Sequence, residues 1–136
     1  WLEGDLGAGK TTLVRGLLRA LGETGPVKSP TYTLLEVHVV SGLHLYHFDF
    51  YRLNQPEEYL DAGLDDYFSG SGVCLVEWPD KAAPYLPPAD LLIELRIVGI
   101  PGSADEQQRE IICHANSLRG RACLTAASSS NSPPPA

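Results

Sequence analysis

The sequence contains no methionine and few basic residues: ten Lys and Arg stand against seventeen Asp and Glu, which gives a formal net charge of −7. Proteins that bind nucleic acids directly use Lys and Arg to neutralise phosphates. A chain this acidic, with no basic cluster, is therefore not expected to bind DNA or to hold RNA by itself. Because the chain begins at Trp1 and has no Met, we expect its N-terminus to be incomplete.

Long apolar runs and paired cysteines are also missing. No run approaches the roughly 20 apolar residues of a membrane-spanning helix, and there is no signal-peptide pattern. The sequence therefore predicts a cytoplasmic protein without membrane contact. The three cysteines form no C-x-x-C pair, so Cys74 and Cys113 are interpreted as small core residues on strands. His44 and His47 lie three apart on a predicted strand and should point to opposite faces, which argues against a zinc site.

The length of 136 residues fits one domain. We predict a folded domain over residues 1–125 and a disordered, Ser- and Pro-rich tail over residues 126–136. Leucines repeating every four positions predict a helix over residues 10–21, and a capped start at 54–57 predicts a short helix ending near Gly63. Apolar runs predict strands over residues 1–3, 34–40, 43–49, 73–77, 91–98 and 109–114.

Residues 4–11 read Gly-Asp-Leu-Gly-Ala-Gly-Lys-Thr and fit the Walker A pattern G-x-x-x-x-G-K-[ST]. Glycines let the backbone turn tightly and direct successive N–H groups at an anion, and the following helix adds its positive end. A chance match is the alternative, but the apolar strand before and the amphipathic helix after favour a phosphate loop. The predicted phosphate-binding residues are Asp5, Leu6, Gly7, Ala8, Gly9, Lys10, Thr11 and Thr12.

Two carboxylates follow predicted strands. Glu77 ends the apolar run Val73–Val76, as in a Walker B strand, and its alternative is a surface residue at a strand end. Asp49 ends the run 43–48, and spacing alone does not distinguish a metal ligand from a turn or cap residue. Because Mg²⁺ prefers one or two carboxylates plus phosphate oxygens, we predict a metal site formed by Thr11, Asp49 and Glu77.

The sequence predicts a three-layer α/β P-loop fold with a mixed, mainly parallel sheet flanked by helices. The Ser41-Gly42 pair is a hairpin signal, so at least one pair of strands should be antiparallel. Within this class, a GTPase-like switch or a nucleoside kinase is an alternative, but the chain has no N-K-x-D or D-x-x-G stretch and few arginines for a lid. A nucleotide-sensing interaction module that does not hydrolyse nucleotide is a further alternative.

Four motifs occur in this order: GDLGAGKTT at 4–12, VKSPTYTL at 27–34, YHFDFYRL at 46–53 and CLVEWP at 74–79. In this respect the chain resembles the TsaE family, also called YjeE, over roughly residues 1 to 115. The resemblance implies a bacterial cytoplasmic ATPase that uses ATP and Mg²⁺. It also implies action with the partners TsaB and TsaD in tRNA threonylcarbamoyladenosine synthesis, with tRNA contacted only through the complex.

The resemblance also implies roles for individual residues. The loop Ser29–Thr33, which by its own pattern is an ordinary turn-containing loop, corresponds to a switch-like segment, so that Thr31 and Thr33 become candidates. The catalytic candidates are Lys10, Asp49, Glu77 and Thr33. Trp78 follows Glu77 as in the family, and we interpret it as a packed aromatic side chain.

Overall fold

The computed structural model describes residues 1–130. Three α-helices and six strands follow along this range: β1 (Leu2–Glu3), α1 (Lys10–Ala20), β2 (Leu35–Val40), β3 (Leu43–Asp49), α2 (Glu58–Asp61), β4 (Val73–Glu77), β5 (Leu91–Ile97), β6 (Arg109–Ala115) and α3 (Leu118–Ser130). Short 3₁₀ helices occupy Leu64–Ser69 and Pro79–Lys81. The predicted strands and the first helix are all present, with bounds within one residue or two.

The six strands form one mixed sheet in the order β2-β3-β4-β1-β5-β6. The four inner strands are parallel to one another, whereas β2 and β6 pair antiparallel at the two edges. Ser41 and Gly42, which join β2 to β3, have φ values of 52° and 78°, as a two-residue hairpin turn with left-handed residues requires. The predicted P-loop fold with a mixed, mainly parallel sheet is confirmed.

Each face of the sheet carries its own apolar core. On one face, α1 packs Val14 and Leu18 against strand residues that include Leu45. The other face holds an aromatic cluster in which Phe48 and Tyr59 are buried. Because successive side chains of a strand point to opposite faces, β3 supplies both cores. The same alternation puts its odd-numbered residues on the α1 side, where the phosphate loop lies.

The chain after Thr125 differs from the prediction. Residues 126–130 form the last turns of α3 and are not disordered, while residues 131–136 lie outside the described residues. The Ser117 hydroxyl accepts a hydrogen bond from the Gly120 amide at 3.0 Å and caps the start of this helix. Near its end, Ser128 and Ser129 donate to carbonyls one turn earlier, which provides local partners for side chains whose composition had suggested disorder.

The positions of side chains correct one smaller expectation and confirm another. Cys113 lies on the edge strand β6 and is exposed, so it is not a core residue, whereas Cys74 is partly buried against the aromatic cluster. The prediction for His44 and His47 is confirmed, because His44 is exposed and His47 is fully buried. Within residues 1–130, no helix combines the length and apolar character needed to cross a membrane.

Candidate functional site

The phosphate loop starts where the central strand β1 ends. Gly4, Gly7 and Gly9 have φ values of 152°, 81° and 108°, a region that residues with a Cβ rarely adopt. The Ala8 amide donates to the Asp5 carbonyl at 3.0 Å and closes the turn. A Cβ on Gly4 would lie 2.5 Å from the Leu95 carbonyl oxygen, so glycine is also required there by the close approach of β5.

Lys10 is the first residue of α1, and its side chain turns back into the loop. Its Nζ donates to the carbonyls of Gly4 at 2.5 Å and Asp5 at 3.0 Å. The ammonium also lies 4.1 Å from the centre of the Trp78 ring. Burial lowers the pKa of Lys10, while the nearby Glu77 and Asp49 carboxylates oppose that shift. The loop thus holds a largely desolvated cation.

Thr11, the second residue of α1, contacts the end of β4. Its hydroxyl donates to the Glu77 carboxylate, with distances of 2.8 Å to Oε1 and 3.1 Å to Oε2. Glu77 is only 1% exposed, so the alternative of a surface residue at a strand end is wrong. A buried carboxylate is costly unless it is paired or hydrogen-bonded, and its hydrogen-bonding partner here belongs to the phosphate loop.

Asp49 lies beside Glu77 because the register of the parallel strands β3 and β4 pairs these two residues. Its Oδ1 accepts a hydrogen bond from the Tyr51 amide at 3.0 Å, which is the turn-residue role. Its Oδ2 faces the hydroxyls of Ser29 at 3.2 Å and Thr31 at 3.3 Å. The turn-residue interpretation of Asp49 is therefore confirmed for one oxygen, while the side chain also lines the cavity, where a metal ligand would have to lie.

These elements surround a cavity of about 440 Å³. The lining contains most of the predicted residues, namely Leu6, Gly7, Gly9, Lys10, Thr11, Thr12, Asp49 and Glu77. Asp5 and Ala8 shape the loop without lining the cavity. Thr33 is exposed and outside the lining, while Ser29 and Thr31 are inside it. The turn closed by the Leu34 amide and the Pro30 carbonyl at 2.8 Å explains this, because it keeps Thr31 beside Asp49 and carries Thr33 past it.

Sequence reasoning missed Arg52 and Tyr51, which also line the cavity. The Arg52 guanidinium lies 4.4 Å from the centre of the Tyr32 ring and donates to its hydroxyl at 3.3 Å. The sequence offered one signal for Arg52, because it is a basic residue three positions after the candidate carboxylate Asp49. Trp78 packs against Tyr51 with ring centres 4.9 Å apart, as expected of a packed aromatic residue, but it lines the cavity as well.

Every side chain of the cavity lining that could coordinate a metal would do so through an oxygen atom. Over residues 1–130, no group of three or more His, Cys, Asp or Glu side chains is arranged to hold a metal ion. The oxygen ligands of the cavity fit a hard cation that takes one or two carboxylates and completes its shell with phosphate oxygens and water. Thr11, Asp49 and Glu77 have the chemistry that Mg²⁺ would require.

Comparison with known proteins shows which family this chain belongs to. The family model described as "Threonylcarbamoyl adenosine biosynthesis protein TsaE" matches residues 1–110. The TsaE protein of Haemophilus influenzae is 53% identical over 95 residues, covering 70% of this chain and 60% of that protein. The Bacillus subtilis TsaE protein is 46% identical over 110 residues, covering 81% of this chain and 65% of the relative.

The fold is similar to that of a solved structure. The crystal structure of Bacillus subtilis YdiB superposes with a TM-score of 0.76 at 37% identity, over 96% of this chain and 76% of that one. The chain spans 60–65% of the length of the first two curated relatives. The site has a phosphate loop and carboxylates that face it, and the sequence matches one family over most of its length. The chain therefore belongs to the TsaE family of tRNA threonylcarbamoyladenosine biosynthesis proteins.

Proposed function

We propose that this protein binds ATP with Mg²⁺ in the phosphate-loop cavity and hydrolyses it in support of tRNA threonylcarbamoyladenosine synthesis, together with TsaB and TsaD. The observation that carries the proposal is the hydrogen bond between Thr11 and the buried Glu77 at 2.8 Å. It joins the residue that follows the phosphate-loop lysine to a carboxylate at the end of the neighbouring strand, the two groups that a P-loop nucleotidase uses at its metal.

Each chain residue has a distinct task in this proposal. The loop amides between Gly4 and Lys10 surround the phosphate oxygens, and the start of α1 adds its positive end. Lys10 exchanges the Gly4 and Asp5 carbonyls for the β- and γ-phosphates, because it is already desolvated and oriented towards the loop. Glu77 orients the attacking water or would help to hold Mg²⁺, since its buried carboxylate lines the cavity.

The charge of the site supports a divalent cation. Asp49 and Glu77 bring two negative charges to a cavity whose lining contains the cations Lys10 and Arg52. A triphosphate would add several more negative charges. A divalent cation such as Mg²⁺ would supply the positive charge that these carboxylates and a triphosphate lack. The Thr11 hydroxyl and the two carboxylates are the residues that would hold it.

The test separates hydrolysis from binding by removing one charge. In the full-length protein, Glu77→Gln keeps the side-chain shape, so ATP should bind nearly as well as to the wild type. Turnover with TsaB and TsaD should fall about 100-fold or more, the usual effect of losing one preorganised group at the transition state. Glu110→Gln, at an exposed position on β6, is the matched control and should turn over normally.

Phosphate release and a binding isotherm should be measured on the same preparations. Normal turnover in Glu77→Gln would contradict the assigned role of this carboxylate. Absence of ATP turnover in the wild-type protein with both partners would favour a nucleotide sensor instead. Effective competition by GTP at equal concentration would favour a GTPase-like protein, which the missing guanine-reading motif argues against.

A further inference from the structure

His47 lies behind the two carboxylates and has no part in the cavity described above. It is on β3, directly opposite Leu75 on β4 and two residue pairs before the Asp49–Glu77 pair. Its side chain is fully buried, with 0% exposure. Within residues 1–130, neither ring nitrogen makes a hydrogen bond. A buried polar group without a partner is unusual, because it loses its hydration without replacing it.

The nearest acceptor is part of the site. His47 Nε2 lies 3.8 Å from Glu77 Oε2, and both side chains are buried. This distance is too long for a hydrogen bond, but a relative shift of about 1 Å would form one. His47 and Glu77 are on the α1 side of adjacent strands, which brings the imidazole close to the carboxylate. The Thr11 hydroxyl contacts the same carboxylate from the phosphate loop.

We propose that His47 is a positioning residue for Glu77: in the nucleotide-bound state its Nε2–H donates to Oε2 and holds the carboxylate in its working orientation. Hydrogen bonds at catalytic groups are often long without ligand and tighten only in the complex. The Thr11 hydroxyl, which is nearer to Oε1 than to Oε2, then bonds the carboxylate from the loop while His47 bonds Oε2. The inference rests on the proposed role of Glu77 in ATP hydrolysis, and His47 itself touches neither nucleotide nor metal.

A purely structural histidine and a positioning histidine predict different results for substitution. His47→Leu removes two unpaired polar atoms and leaves an apolar side chain, so the thermal midpoint should stay unchanged or rise. Turnover should nevertheless fall about 10-fold or more, the usual cost of losing a group that orients a ligand or catalytic residue. The loss should appear in kcat with KM for ATP unchanged, because the phosphate loop is intact.

Two matched variants make the comparison specific. His47→Gln places an amide N–H near the position of Nε2 and should restore most of the kcat that His47→Leu loses. His44→Leu, on the same strand but exposed and on the opposite face, should have wild-type kcat. Equal loss in His47→Gln and His47→Leu, or normal kcat in His47→Leu, would overturn the proposal.

A measurement on the wild-type protein does not depend on activity. Histidine-selective ¹⁵N NMR of the full-length protein should show a proton on Nε2 of His47. Its proton resonance should move downfield when Mg²⁺ and a non-hydrolysable ATP analogue are added together. An unchanged resonance would overturn the proposal even if His47→Leu failed to fold. If Glu77→Gln impairs turnover but His47→Leu does not, only this inference fails; if neither does, the proposed function fails.

Discussion

Lys10 and Trp78 are joined in the site: the ammonium lies 4.1 Å from the centre of the indole ring while it donates to two carbonyls of its own loop. A cation over an aromatic ring gains on the order of 0.5–2 kcal/mol. The Lys10 ammonium therefore already has partners in the protein, and a triphosphate must replace them when it binds. Because its ammonium group already lies in the loop, the lysine needs only a small conformational change to reach the phosphates.

Lys10→Ala should strongly weaken ATP binding. Losing a charged hydrogen-bonding partner for phosphate costs about 1.5–3 kcal/mol, or roughly 10- to 150-fold in affinity. Arg15→Ala removes an exposed cation from the same helix and should leave affinity within a factor of two or three. Isothermal titration of ATP into both full-length variants measures this, and unchanged affinity in Lys10→Ala would argue against a phosphate-binding loop.

Thr11→Val should show the role of the hydroxyl, because valine has nearly the same shape as threonine but no hydroxyl group. It removes the donor to Glu77 and the oxygen proposed to hold Mg²⁺, and it leaves a buried carboxylate without this partner. We expect turnover to fall about 100-fold and the Mg²⁺ concentration for half-maximal ATP binding to rise. Thr11→Ser keeps the hydroxyl and should retain most of both. If Ser and Val variants behave alike, the hydroxyl has no role.

Two glycines of the loop should differ in their cost to folding. Gly7→Ala meets open space and carries only the cost of a positive φ, about 1–2 kcal/mol. Gly4→Ala has the same backbone problem and in addition places a Cβ 2.5 Å from the Leu95 carbonyl oxygen. Thermal unfolding without nucleotide should show a clearly lower midpoint for Gly4→Ala. Equal midpoints would show that β5 moves away freely.

Alkylation should distinguish Cys74 from the two exposed cysteines. Burial raises the pKa of the Cys74 thiol to about 11, so the reactive thiolate is disfavoured below that pH and is roughly one part in a thousand at pH 8. Iodoacetamide should label Cys113 and Cys123 first, and labelling of Cys74 should rise about tenfold per pH unit while the fold persists. Peptide mass spectrometry measures each rate.

Unfolding the protein in urea provides the control for this experiment. Cys74 should then react as fast as the other two cysteines, because its protection comes from burial. Rapid labelling of Cys74 at pH 8 in the folded protein would contradict the partly buried position beneath the aromatic cluster.

The parts of the fold that sequence analysis predicted have strong local signals. The strands 43–49 and 73–77 were predicted with the bounds found in the structure. For the second strand the signal was Val73–Val76, a continuous apolar run typical of a buried parallel strand. The hairpin at Ser41-Gly42 followed from its turn residues. In contrast, no helix was predicted over Leu118–Ser130, and residues 126–130 were expected to be disordered, because serine side chains that bond locally to helix carbonyls resemble a polar tail in composition.

Side-chain neighbours were harder to predict, because they depend on register and turn geometry. Thr31 and Thr33 are equivalent by residue type, yet the turn at Pro30–Leu34 places Thr31 beside Asp49 and leaves Thr33 exposed. The approach of His47 to Glu77 follows from the pairing of β3 with β4. Spacing along the chain contains no such information, and His47 had been considered only as a zinc ligand.

The sequence by itself determined the phosphate loop, the helix that follows it and the two carboxylates at strand ends, because backbone conformation and apolar periodicity are local properties. Only the tertiary structure decided that Asp49 and Glu77 are neighbours, that Thr11 bonds to Glu77, and that His47 lies behind it. These relationships arise when β1 inserts between β4 and β5 and β3 pairs in register with β4. Strand order and register are set by packing between distant segments, which the local pattern of any one segment does not specify.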